Sequence, residues 1–122
     1  MKTNHILELP ADWKPVAQVF SALGDITRQK ILLLFEAGEE LSIKQIAQTI
    51  ALSRTAVVHH ITVLDQAGIL CSRKQGREVF YRIELGTVQY ALNQVALYIS
   101  EMQQELGKIN SIPLPNNRET NK

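Results

Sequence analysis

Only one cysteine, Cys71, occurs in 122 residues, which excludes a disulfide within the chain and a zinc cluster built on thiolates. Long hydrophobic runs are lacking as well. No unbroken apolar stretch exceeds five residues, as in Ile31–Phe35, whereas a membrane-crossing helix needs roughly 20. Met1–Pro10 carries Glu8 and no apolar core of the kind a secretory signal requires, so the expected location is the cytoplasm. Also absent are a glycine-rich phosphate loop, a His-Glu-x-x-His helix and a clustered acid pair beside a nucleophile, the usual sequence marks of enzymes. Ser53 and His59 lie six residues apart with no carboxylate to orient them, so they do not make a nucleophile and base. No catalytic residue and no cofactor is predicted.

What is present is a composition of 45% hydrophobic and 20% charged residues, enough for one domain with a modest core. The net charge of +1 conceals an uneven distribution. Leu41–Arg82 carries +4, from Lys44, Arg54, Arg73, Lys74, Arg77 and Arg82 against Asp65 and Glu78, and the remainder carries −3. A local basic excess is the electrostatic footprint of a nucleic-acid binder.

Along the chain, Asp12 is placed to cap a first helix through Val16, Val19, Phe20 and Leu23, with Gly24 as its stop. Asp25 caps a second, whose Ile31–Phe35 run is apolar nearly all round and predicts a core helix ending at Gly38. Ser42 and Gln45 form a capping-box pattern ahead of Ile43, Ile46, Ala47 and Ile50. After Ala51-Leu52-Ser53, a fourth helix carries Val57, Ile61 and Leu64 at i, i+4 and i+7 and closes at Gly68. Two short helices with so tight a connection predict a helix-turn-helix. Alternation through Val79, Phe80, Tyr81, Arg82 and Ile83, with Gly76 at the tip, predicts a β-hairpin wing. A last helix from Thr87 to Gly107 spaces Val88, Leu92, Val95, Ile99, Met102 and Leu106 by alternating steps of four and three. That is a coiled-coil seam about 30 Å long. The chain is thus divided into an N-terminal extension (1–10), a winged-helix domain (11–107) and an Asn-rich tail (108–122) expected to be disordered.

Four blocks in order resemble the ArsR/SmtB family of winged-helix repressors. Phe20–Leu32 is similar to its opening "alGdptRl.IL", Leu52–Ile61 to its recognition helix "lsqstvSHHL", Leu64–Leu70 to "L..aGll" and Arg73–Ile83 to its wing "r.Gr.v.Y.l". The departure is Val58, where the family has a small polar residue. The resemblance implies a mainly α winged helix-turn-helix, in the order α-α-α-α-β-β-α, acting as a homodimeric repressor on an inverted-repeat operator in double-stranded DNA. The recognition helix would present Ser53, Arg54, Thr55, Val58, His59 and His60, with Arg54 reading guanine through its bidentate fork and Val58 touching a thymine methyl. Packing of His60 at the helix-turn-helix seam is the alternative for that residue. The wing would offer Arg73, Lys74 and Arg77, with Arg77 in the minor groove. Pairing of first and last helices across a two-fold axis would use Val16, Val19, Phe20, Val88, Leu92, Val95, Ile99 and Met102.

Many members of the family sense metals, yet their ligand sets are missing here. The third helix has no cysteine or histidine, and the last helix offers Glu101 and Glu105 without histidine, whereas borderline and soft metals want nitrogen or sulfur. No metal site is predicted. Cys71 stays a candidate redox residue without a resolving partner, and a small-molecule effector stays open. The rival function is a winged-helix module that binds protein.

Overall fold

The computed structural model describes residues 1–109. Its elements are a 3-10 turn at Ala11–Trp13, α1 (Lys14–Leu23), α2 (Ile26–Leu33), β1 (Leu41–Ser42), α3 (Ile43–Ile50), α4 (Arg54–Gln66), β2 (Leu70–Gln75), β3 (Glu78–Ile83) and α5 (Leu85–Ile109). The predicted winged helix-turn-helix is there, with one strand more than expected: β1 adds to β3 antiparallel, giving the order β1-β3-β2. Two residues are too few to show alternation, and their partners Tyr81 and Phe80 lie some forty positions away.

Local signals decide most helix starts. The Asp25 side chain accepts a hydrogen bond from the Arg28 amide, and Ser42 and Gln45 complete a reciprocal capping box on α3. The Ser53 hydroxyl accepts from the Ala56 amide at 3.1 Å. Asp12, in contrast, is no cap: it lies within the 3-10 turn, and α1 begins after Trp13 with Pro15 in its first turn. The turn between α3 and α4 is made by Ala51 at φ 59°, a conformation that costs a side-chain-bearing residue roughly 1 kcal/mol. Nothing in the sequence marked that position.

Glycine is required where α4 ends. Gly68 at φ +77° donates to the Asp65 carbonyl while Ile69 donates to that of Leu64, the paired bonds of a Schellman motif. The motif turns Ile69 and Leu70 into the core and starts the wing. Gly68→Ala forces an alanine into that φ, with its Cβ 3.4 Å from the Thr87 side chain, and is expected to cost about 1–2 kcal/mol. A melting temperature within a degree of the parent's would refute this.

The core gathers Val16, Val19 and Ala22 of α1, Ile31, Ile46, the α4 stripe Val57, Ile61 and Leu64, then Ile69, Leu70 and Ala91. Two expectations change here. The second helix is not buried all round: it stops at Leu33, Ile31 is its one fully buried residue, and Ile26 and Leu33 are exposed. Val16 and Val19, assigned to a dimer interface, are 2% and 1% exposed within the protomer. They hold α1 to the rest of the domain and have no surface left for a partner.

The last helix also outruns its expected ends. Gly86 and Gly107 both lie inside α5, which continues through Ile109, and its 25 residues span about 37 Å at the usual rise. Lys108 and Ile109, assigned to the tail, therefore belong to the helix, and the rest of that segment (110–122) lies outside the described residues. Residues 1–10 form turns with no helix or strand. No described helix is long and apolar enough to cross a membrane.

Candidate nucleic-acid interface

Burial of Val57, Ile61 and Leu64 on one side of α4 fixes what the other side shows. Thr55, Val58, His59 and Thr62, at i, i+3, i+4 and i+7, form a continuous exposed stripe. Arg54 is exposed at the start of the helix, where free amides and the helix dipole favour negative charge. Thr62, which no sequence motif marks, completes the same stripe. Its hydroxyl donates to the Val58 carbonyl at 2.7 Å.

The wing folds its tip back toward the helix-turn-helix. β2 and β3 pair from Leu70↔Ile83 to Gln75↔Glu78, leaving Gly76-Arg77 as a two-residue turn with positive φ at Gly76 alone, the pattern of a II′ hairpin. As a result Arg77, Lys44 and Arg54 line one cavity of about 170 Å³, together with Ser42, Ile43, Val79 and the single carboxylate of Glu78. Lys44 is the residue that sequence reasoning counted in the basic segment without giving it a role. Three cations from three elements thus converge beside the exposed stripe, an arrangement suited to phosphate oxygens flanking a groove.

Other expected contacts are differently engaged. Arg73 is clamped: its guanidinium donates to both Glu40 carboxylate oxygens at 2.7–3.1 Å, to Gln75 Oε1 at 2.7 Å, and stacks 5.4 Å from the Phe80 ring centre. It braces the wing against the segment that leads into β1, so of the three wing cations expected to meet DNA only Lys74 and Arg77 lack a carboxylate within ion-pair distance among the described residues. The hydrogen bonds from Arg73 hold the Glu40 carboxyl below its ordinary value of 4.5. Because the folded state lowers this pKa, the brace is intact above pH 4.5 and is lost as pH falls through the lowered value. Glu40→Gln is expected to loosen the wing at neutral pH, read as faster amide exchange along β2 with little change in α4; unchanged exchange would show that the clamp is dispensable.

His60 is half-buried, and its Nδ1 lies 3.3 Å from Nη1 of Arg28. Arg28 also donates from Nε to the Ala22 carbonyl at 2.7 Å and from Nη2 to that of Ser21 at 3.3 Å. The end of α1, the start of α2 and the middle of α4 are joined by this one guanidinium. His60 is therefore held against the α1–α2 junction, and His59 alone of the pair is exposed. Cys71, the candidate redox residue, is half-buried, with Sγ 3.9 Å from Glu84 Oε1. Among the described residues no three His, Cys, Asp or Glu side chains gather as a metal site.

A helix-turn-helix domain model matches residues 23–73, from the end of α1 through α4 into the wing. The chain is 33% identical over 87 residues to a Staphylococcus aureus cadmium resistance transcriptional regulatory protein, a CadC homolog, covering 71% of this chain and 72% of that one. The chain belongs to the ArsR/SmtB family. It is a transcriptional regulator with a winged helix-turn-helix DNA-binding domain. Another relative is the Bacillus subtilis transcriptional repressor SdpR, 28% identical over 88 residues, 72% of this chain and 97% of SdpR. Among solved ArsR-type structures, a regulator from Rhodococcus superposes with a TM-score of 0.75 at 28% identity, covering 82% of this chain and 93% of its own. The homodimeric winged-helix domain of Mycobacterium bovis Mb0332 gives 0.60 at 26%, covering 80% and 88%. The four sequence blocks that carry the ArsR resemblance map onto α1–α2, α4, the α4–β2 junction and the wing.

Proposed function

We propose that the protein is a homodimeric repressor that binds an inverted-repeat operator and needs no metal ion to do so. The observation that carries this reading is the exposed stripe Thr55, Val58, His59 and Thr62, led by Arg54 and flanked by the cavity it shares with Lys44 and Arg77. Arg54 reads guanine, Val58 meets a thymine methyl, Ser53 and Lys44 meet phosphate, and Arg77 meets phosphate or enters the adjoining minor groove. Repression follows from occupancy of the operator, the role that SdpR's name gives that relative.

Dimerisation is proposed through α5. Phe20, Leu92, Ile99, Met102 and Leu106 are 38–49% exposed, and the four on α5 fall on one face of a helix that projects past the core. Val88 and Val95 are half-buried at its edge. A homodimeric relative of the same fold supports this assembly, and two-fold symmetry then sets two α4 helices about one DNA turn apart. Independence from metal rests on α3, which has neither cysteine nor histidine, and on Glu101 and Glu105 of α5, which have no histidine beside them.

Selection of bound fragments from random duplex DNA tests the proposal. The expected product is an inverted repeat with half-sites about 10 base pairs apart. Its affinity should fall steeply as salt rises, through counterion release, and should not change with added zinc. Absence of enrichment would favour a protein-binding role, for which the exposed Ile26 and Leu33, seven positions apart on one face of α2, are the candidate surface.

A further inference from the structure

The N-terminal segment does not hang free of the domain. Lys14 Nζ donates to Glu8 Oε2 at 3.2 Å, the Tyr90 hydroxyl lies 3.5 Å from the Asp12 carbonyl oxygen, and Trp13 meets Tyr98 of α5 edge-to-face, with ring centres 5.8 Å apart at 87°. Beside these contacts lies a cleft of about 480 Å³ lined by Lys2, His5, Leu9, Pro10, Trp13 and Tyr98. Small-molecule sites commonly have this size, an apolar and aromatic wall, and a few polar groups at one end. Among the described residues no carboxylate lines it. Glu101 and Glu105 face a smaller adjoining cleft of about 110 Å³, which shares Lys2 and Tyr98. The cleft has no part in the proposed DNA face, which lies on α4 and the wing.

The geometry points to a binding site for a small organic anion with an apolar ring, of the aryl carboxylate class. The ring packs into the corner made by Trp13 and Tyr98, where an edge-to-face pair leaves one ring face and one ring edge available. The carboxylate meets the Lys2 ammonium by a charge-assisted hydrogen bond, with His5 beside it. Leu9 and Pro10 close the apolar side. Occupancy would tie the N-terminal segment to α5 beside Met102, which also borders the adjoining cleft.

Binding at this cleft is independent of whether the protein reads DNA, and it can be followed on the full chain alone. Trp13 is the only tryptophan, so its emission reports on the site without a label. Phenylacetate is the probe, with acetate and 2-phenylethylamine as controls that remove the ring and reverse the charge. The expected result is a saturable change with phenylacetate, at least about tenfold weaker with either control. Lys2→Gln, at an exposed position that leaves the core untouched, should weaken phenylacetate about fivefold. Tyr98→Leu should weaken it comparably with an unchanged helical circular dichroism signal. No saturation by about 10 mM phenylacetate, equal or tighter binding of the amine, or full affinity in Lys2→Gln would each overturn the assignment.

Discussion

Arg54→Ala is expected to lower affinity for the selected operator by roughly 1–3 kcal/mol, about five- to 150-fold, and to relax the preference for guanine at one position of each half-site. The effect is large because the side chain is exposed at the first turn of α4 and makes no ion pair within the protein among the described residues. Its loss then removes a contact to DNA and no contact in the fold. The melting temperature should stay within a degree of the parent's. Lys74→Ala separates charge from reading: binding should weaken about equally on all sequences and the salt slope should drop by about one. If Arg54→Ala selects the same sequence as the parent, Arg54 does not read bases. Thr55, His59 and Thr62 would then be next, because they share the exposed face.

Leu64→Ala is the complementary experiment. Leu64 is fully buried on the inner stripe of α4, and its carbonyl accepts the Ile69 bond that closes the helix. Truncation leaves a cavity under both the recognition helix and the base of the wing and should cost about 3 kcal/mol. Domains of this size have about 5–15 kcal/mol in total, so the midpoint of guanidinium unfolding should fall markedly with its slope unchanged. Under conditions where the variant is folded, its DNA sequence preference should match the parent's. A loss below about 1 kcal/mol would mean that the site collapses around the deletion or that Leu64 is not packed as described. Together the two variants test whether one helix divides its labour between faces: Arg54 carries recognition without stability, and Leu64 the reverse.

The elements legible in the chain were those decided by neighbours a few positions away. Asp25, Ser42 and Ser53 cap helices because a short oxygen-bearing side chain reaches an amide three residues on. Val57, Ile61 and Leu64 announce one buried face, and the opposite stripe follows from the helix repeat. The same rule misled at Asp12, where Pro15 in the first turn of α1 and a preceding 3-10 turn moved the start of the helix. The run Ile31–Phe35, apolar on every side, predicts a core helix, yet only Ile31 is fully buried. Burial needs neighbouring elements on each side, and α2 has them on one.

Site residues divide in the same way. The exposure of Arg54, Thr55, Val58 and His59 is legible from α4 alone, since exposure on a helix is set by phase. The partners of Arg73, His60 and Lys44 could not. Glu40 is 33 positions from Arg73, Arg28 is 32 from His60, and Lys44 shares a cavity with Arg77, 33 positions on, only because of how the hairpin is placed. The helix-turn-helix, the wing, the basic middle segment and the outward face of α4 are all legible in the chain, because each depends on local periodicity, caps or charge. That Arg73 and His60 are held within the fold, that Val16 and Val19 belong to the protomer core, and that Trp13 and Tyr98 frame a cleft emerges only once the chain is folded. Each of these depends on which distant segments meet, and a linear pattern of residues does not encode that distance.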